Sequence, residues 1–324
     1  MSTSTATQMR KWTGPAVFSF GFRPLFLLAC VWAAVAMILW IGMLSGRVAL
    51  PTVFDPVTWH AHEFLFGYLS AVIAGFLLTA VPNWTGRLPV VGWPLAGLCV
   101  LWIAGRLAVG ASASLPAGVV GVADLSFLVA LWAVIFREIV AGKKWANLPV
   151  LILLALFIAA DALFHLEAVQ GGSASQGYGL RLGLGVALVL IMLIGGKVTP
   201  SFTRNWLVKR GDTVLPTPPM QRYDKAVIVV SAATLLAWVA RPDAGLVGAA
   251  LLIIAGLHSV RLWRWQGVRA LAEPLVWVLH AGYAFVPLGA LAVGVSIVFP
   301  ATISTAAALH VWTAGAIGLM TLGV

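Results

Sequence analysis

Charge is what this sequence has least of. Only 9% of its 324 residues are Asp, Glu, Lys or Arg, against roughly 25% in soluble globular domains. That scarcity excludes a water-soluble fold. Cysteine is rarer still: Cys30 and Cys99 are the only two, both inside apolar runs, and they suggest neither a disulfide framework nor a Cys-rich metal site. There is no CxxCH attachment motif, no HExxH and no P-loop, so covalent haem, zinc-protease and ATPase chemistry find no support. Histidine is also sparse, six in all. Each one therefore carries weight.

What is abundant is apolar. Hydrophobic residues make up 61% of the chain, and the mean hydropathy is +1.00. Runs of about 20 apolar residues recur along the whole length, the spacing that a bilayer core of about 30 Å demands of a helix. The fold class is all-α, a polytopic transmembrane helical bundle. Ten spans are expected, near 24–44, 57–81, 92–110, 117–138, 148–169, 179–199, 223–241, 244–262, 274–298 and 304–324. The first is an anchor and not a signal peptide, because equally long spans follow it without a small-residue cleavage site. Residues 1–23 form a cytoplasmic N-terminal segment and 24–324 the transmembrane helical domain. The last span reaches Val324 without a polar flank, as expected of a fragment of a longer protein.

The formal charge of +10 reflects topology and calls for no nucleic-acid partner. With the N-terminus in the cytoplasm, 16 basic residues fall inside and only Arg47, Arg106, Arg181 and Arg241 outside, the bias of the positive-inside rule. The longest connection, Thr203 to Asp224, is then cytoplasmic. It could divide two bundles of helices but is too short to be a soluble domain.

Ionisable residues within a membrane are costly and mark functional sites by default. On this topology His60, His62 and Glu63 of WHAHE lie at the periplasmic end of the second span, with His165, Glu167 and Asp161 near the same surface. His310 lies roughly 9–12 Å below the outer end of the tenth span, at about 1.5 Å per residue. His258 and His280 share the cytoplasmic half with Arg261, Arg264 and Arg269. Within WHAHE, His60 and Glu63 share a helix face while His60 and His62 stand roughly 200° apart, so the pair suits two roles better than one chelate. The plainer reading of each histidine is an interfacial hydrogen bonder. Asp124, Asp161 and Lys197 suit an ion or proton path as readily as buried structural pairs.

The blocks WHAHEFLFGYLSAVIAGFLLTAVPNWTGR, LWIAGR, IGGKVTPSFTRNWL, LHAGYAFVPLGALAVG and ALHVWTAGAIGLMTL, in that order, resemble the NnrS family of bacterial inner-membrane proteins. The resemblance runs from about Ser19 onward. It implies haem and copper as cofactors and a role in nitric oxide metabolism or nitrosative-stress defence, with nitric oxide and a redox partner as associates besides the bilayer. About 12 helices are expected of the family. Its members continue past the last block into a LGHTGR-type motif, and favour Arg where Lys197 stands. By the resemblance, His60, His62, His165, His258, His280 and His310 are cofactor-binding candidates, the first three and His310 for metal. Glu63, Glu167, Asp161, Arg261, Arg264 and Arg269 would support them, because imidazole suits both haem iron and copper and a buried carboxylate orients a ligating imidazole. Trp59, Phe64, Phe66 and Tyr68 would offer apolar walls to a porphyrin. The competing reading is a transporter or channel without a redox cofactor.

Orientation is directly testable. A phosphatase fused within Thr203–Asp224 should be inactive and a fluorescent-protein fusion there bright; high phosphatase activity would reverse the topology.

Overall fold

The computed structural model describes residues 12–86 and 89–323; Arg10, Lys11 and Arg87, counted above among the cytoplasmic charges, lie outside the described residues. Ten helices are long and apolar enough to cross a membrane. They are α1 (Phe22–Leu44), α2 (Pro56–Thr85), α3 (Trp93–Gly110), α4 (Ala117–Ala141), α5 (Trp145–Val169), α6 (Tyr178–Lys209), α7 (Arg222–Ala240), α8 (Gly245–Trp263), α9 (Pro274–Val298) and α10 (Thr305–Gly323). No strand occurs among the described residues. The chain is a multi-pass membrane protein.

Two compact units divide it, Met1–Gly183 and Leu184–Val324. The division falls inside α6 and not in the Thr203–Asp224 connection. In the first unit α2 packs against α1 and α4, and α4 also against α3 and α5. In the second, α8 and α9 pack closely, with α7 beside α8 and α10 beside α9. Burial ranks the helices by role. Only 17% of the α1 window is buried against 78% of the α2 window, so α1 turns Leu27, Val31, Ile38 and Ile41 outward while α2 can hold polar groups away from lipid.

Local chemistry explains the less regular features. α2 opens on an Asp55 cap whose carboxylate accepts from the Val57 and Thr58 amides, with Pro56 in the first turn where its missing N–H costs nothing. From Glu63 to Tyr68 the helix widens to π geometry, the Leu69 amide reaching back to the Phe64 carbonyl. Such segments concentrate at functional sites. A second π segment, Val311–Gly318, follows His310 in α10.

α6 runs through Pro200 to Lys209, ten residues past the expected end at 199. Proline removes one backbone donor and crowds the preceding turn. Around it Ser201 Oγ donates to the Lys197 carbonyl at 2.6 Å and Thr203 Oγ1 to the Thr199 carbonyl at 2.7 Å. The connection to α7 shortens accordingly.

Gly289 on α9 lies against the Trp312 indole, and a Cβ there would sit 2.1 Å from Trp312 Cδ1. Gly118 has open space around it. Gly289→Val should therefore lower the detergent-solubilised melting temperature by several degrees, whereas Gly118→Ala should leave it unchanged. Equal melting by both variants would remove this contact from the packing account.

Candidate metal centre

Four side chains from three helices of the first unit converge at one point. His62 from α2, Asp124 from α4, and Asp161 and His165 from α5 each offer one ligand atom, and these atoms lie within 4.8 Å of one another. His62 Nε2 is 3.0 Å from Asp124 Oδ2 and 3.3 Å from Asp161 Oδ1. His165 Nε2 is 2.9 Å from the same Asp124 oxygen and 3.8 Å from the same Asp161 oxygen. All four residues are buried, His165 being the most exposed at 9%. Asp161 and His165 are one turn apart, so a single helix face presents both.

A second set of residues holds these in place. Glu63 Oε1 lies 3.2 Å from His62 Nδ1. Its other oxygen accepts from Trp32 Nε1 at 2.8 Å and from Arg106 at 2.7 Å. Arg106 also donates to Asp124 Oδ1. Because Glu63 is an acceptor, His62 donates through Nδ1, and Nε2, which faces Asp124 and Asp161, is left either to carry a second proton or to bind a metal. This is the arrangement that orients a metal-binding imidazole. Phe54, Phe66 and Phe164 lie 5.7, 5.5 and 5.2 Å from the His62 ring and form the apolar wall.

The charges do not balance on fixed groups alone. Glu63, Asp124 and Asp161 face a single Arg106, whose guanidinium does not lose its proton. Two protons, one on each imidazole, or one divalent cation would restore neutrality. Two glycines make the assembly sterically feasible. A Cβ at Gly67 would sit 2.5 Å from Arg106 Nη1 and 2.8 Å from Glu63 Oε2, and one at Gly105 would sit 2.8 Å from Asp124 Oδ1. Gly67 belongs to the π segment, whose carbonyl is satisfied by Trp102 Nε1 at 3.0 Å and Ser70 Oγ at 2.8 Å.

The other expected residues fall elsewhere. His60 stacks on Trp40 with ring centroids 3.9 Å apart, so the two histidines of WHAHE diverge as helical spacing demands. Glu63 lies beside His62 at the start of the π segment. Glu167 caps α6, accepting from the Tyr178 amide at 2.6 Å and the Gly179 amide at 3.1 Å. His310 is exposed in the second unit, with Nδ1 at 2.7 Å from the Ala306 carbonyl of its own helix. Lys197 is exposed.

The second unit holds its own polar group. Asp224 closes the capping box of α7 with Gln221 and also accepts from Arg261 Nε at 2.8 Å. Arg261 Nη1 donates to the Met192 carbonyl at 3.0 Å and to Tyr283 OH at 2.6 Å. Tyr283 OH lies 2.9 Å from His258 Nδ1, and Ser231 Oγ 2.9 Å from His258 Nε2. Both nitrogens of His258 are thus committed. His280 differs. Its Nε2 lies 2.8 Å from Thr203 Oγ1, whose own proton goes to the Thr199 carbonyl, so His280 donates there and Nδ1 keeps a bare lone pair. That buried Nδ1 has no hydrogen-bond partner. Arg264 binds Gln221 Oε1 at 2.8 Å and Arg269 binds Asp212 at 3.3 Å, both nearer the surface.

Arg106 is the functional residue that sequence reasoning missed. It was counted as a loop charge, yet a lone Arg in LWIAGR, inside an apolar span, was the available signal. Breaking a buried pair by removing one partner costs about 3–5 kcal/mol. Arg106→Met should therefore destabilise the chain strongly, where Arg181→Met at the surface should not. Similar thermal stability for the two would mean that the pair contributes little.

The comparisons fit this architecture. A family model described as NnrS protein matches residues 16–324. No curated protein and no solved structure matches the chain. Since that match covers almost the whole sequence, the chain belongs to the NnrS family, which places it among membrane proteins related to nitric oxide.

Proposed function

We propose that the protein is a haem- and copper-binding protein of the bacterial inner membrane that acts in nitric oxide metabolism or nitrosative-stress defence. The observation that supports this reading best is the convergence of two imidazole nitrogens and two carboxylate oxygens within 4.8 Å in a buried, apolar setting. A mixed nitrogen and oxygen donor set suits Cu(II). His62, Asp124, Asp161 and His165 are the residues we assign to it. Glu63 orients His62, and Arg106 fixes Glu63 and Asp124.

Of the second-unit histidines His280 is the one we assign to haem, because its buried Nδ1, which packs against Gly267, has no hydrogen-bond partner among the described residues. Thr203 holds the opposite ring nitrogen, which sets the tautomer. His258, engaged on both sides, serves here to position Tyr283 and Arg261. Bound copper and haem would supply one-electron chemistry and open coordination positions for a diatomic molecule. The protein contributes orientation, an apolar enclosure and exclusion of water.

Metal analysis and a visible spectrum of the purified, detergent-solubilised chain test the assignment. His62→Ala and His165→Ala should each lower copper at least about tenfold, in the range seen when metal-site partners are lost, with haem retained. His280→Ala should lower the Soret band and leave copper intact. Wild-type protein that is fully helical, colourless and metal-free would favour the transport reading. Full haem and copper in all three variants would overturn the assignment.

A further inference from the structure

The connection between α8 and α9 turns apolar side chains away from the protein although it spans nothing. We infer that this connection is a foot lying in the membrane–water interface, where Arg264 holds the headgroup of an anionic phospholipid. Neither cofactor site is needed for this role.

Residues 264–273 are short but ordered. The Trp265 amide donates to the Leu262 carbonyl, Gln266 to Trp263, Arg269 to Gln266 and Glu273 to Ala270. The backbone therefore brings few unmet donors to a region poor in water. Two side chains fasten the segment from inside. Trp265 is 1% exposed, with its ring 4.5 Å from that of Tyr283, and Ala270 is fully buried. The other apolar groups face outward: Val268 is 80% exposed and Leu271 57%, while the flanking Trp263 and Leu275 reach 75% and 76%.

Exposed apolar residues gathered in this way mark a contact surface. Lipid is the occupant because the patch continues the outward sides of two membrane spans. Trp263 ends α8, whose Ile253 and Val260 are exposed on the same face. Leu275 lies in the first turn of α9, which exposes Trp277, Leu288 and Leu291. Tryptophan at such a span end is the residue type that anchors in the interface.

Charge chooses the lipid. Arg264 donates to Gln221 Oε1 at 2.8 Å, and its guanidinium lies 4.7 Å from the centre of the Tyr223 ring. Both partners are neutral, so its charge is unanswered, unlike that of Arg261 on Asp224 or Arg269 on Asp212. Arg222 and Lys225 stand exposed on the first turn of α7. Tyr223 ties that turn to α8 by donating to the Leu257 carbonyl at 2.8 Å. A basic rim beside an apolar patch, with Glu273 as the acidic group on the connection, attracts anionic headgroups.

A fluorophore that reports its quenchers tests this placement. An aminonaphthalene label is attached through Val268→Cys in the full chain, in a Cys30→Ser, Cys99→Ala background. Ser173→Cys, in the exposed connection between α5 and α6, carries the same label for comparison. Each protein is placed in phosphatidylcholine nanodiscs. Phosphatidylcholine or phosphatidylglycerol with a nitroxide on the acyl chain is the lipid quencher, and acrylamide the aqueous one. Circular dichroism confirms the fold of each variant.

The label at position 268 should be quenched by nitroxide lipid and be less open to acrylamide than the label at position 173. Phosphatidylglycerol should be preferred over phosphatidylcholine by about fivefold, the effect of one basic residue near an anionic surface. Arg264→Gln should bring that preference close to parity, whereas Arg47→Gln in the α1–α2 connection should leave it unchanged. Equal access of acrylamide to both labels would place the connection in water. Shielding of position 268 from both quenchers would place protein over it. Either result would overturn the proposal, as would the lack of a phosphatidylglycerol preference or one that Arg264→Gln does not alter.

Discussion

A guanidinium that cannot be discharged sits inside the first unit, and its neighbours are arranged around that fact. Arg106 reaches Glu63 on α2 and Asp124 on α4 at once, from a position on α3 where water is excluded. Apolar surroundings make each unpaired ion expensive, so the three helices are held in one register by the need to keep these charges together. The small residues follow from the same constraint. Gly67 and Gly105 leave the space that the guanidinium and the Asp124 carboxylate fill. The π segment of α2 allows His62 and Glu63, adjacent in sequence, to serve one site while His60 turns to Trp40. Local irregularity, glycine placement and ion pairing are thus one design.

The second unit applies related chemistry to a different end. Arg261 is fully buried and is answered by Asp224, so charge is balanced without a further cation. Its hydrogen bonds run on through Tyr283 to His258 and Ser231. His280 is held separately by Thr203, and its Nδ1 has no hydrogen-bond partner among the described residues. The first unit gathers three carboxylates around one guanidinium, whereas the second pairs one carboxylate with one guanidinium.

Much of the architecture was legible because hydrophobic length is a local property. All ten spans stand close to where apolar runs place them, and the one large error, the end of α6, arose at Pro200, which the helix carries within it instead of ending before it. The sites were legible only in part. His62, His165, Asp161 and Glu63 were singled out from their depth in the membrane, and they do come together. Expected depth alone could not separate His310, which belongs to the second unit, nor Glu167, which caps a helix instead. Which residues meet depends on helix rotation, and a π turn alters rotation without leaving a trace in hydropathy. Arg106 reads in the sequence only as a topological charge near a span end, whereas Arg261 reads both as such a charge and as support for a cofactor. Their removal, one from each side, leaves the inside bias intact.

X-ray absorption at the metal edge of the purified full-length chain tests the central claim most directly, because it counts the atoms around the ion. The account predicts copper in the first-unit centre with two imidazole nitrogens and carboxylate oxygens in its shell, and loss of one imidazole contribution in His165→Ala. A shell of sulfur donors, or of four imidazoles, would contradict it, as would a spectrum indifferent to both His62→Ala and His165→Ala.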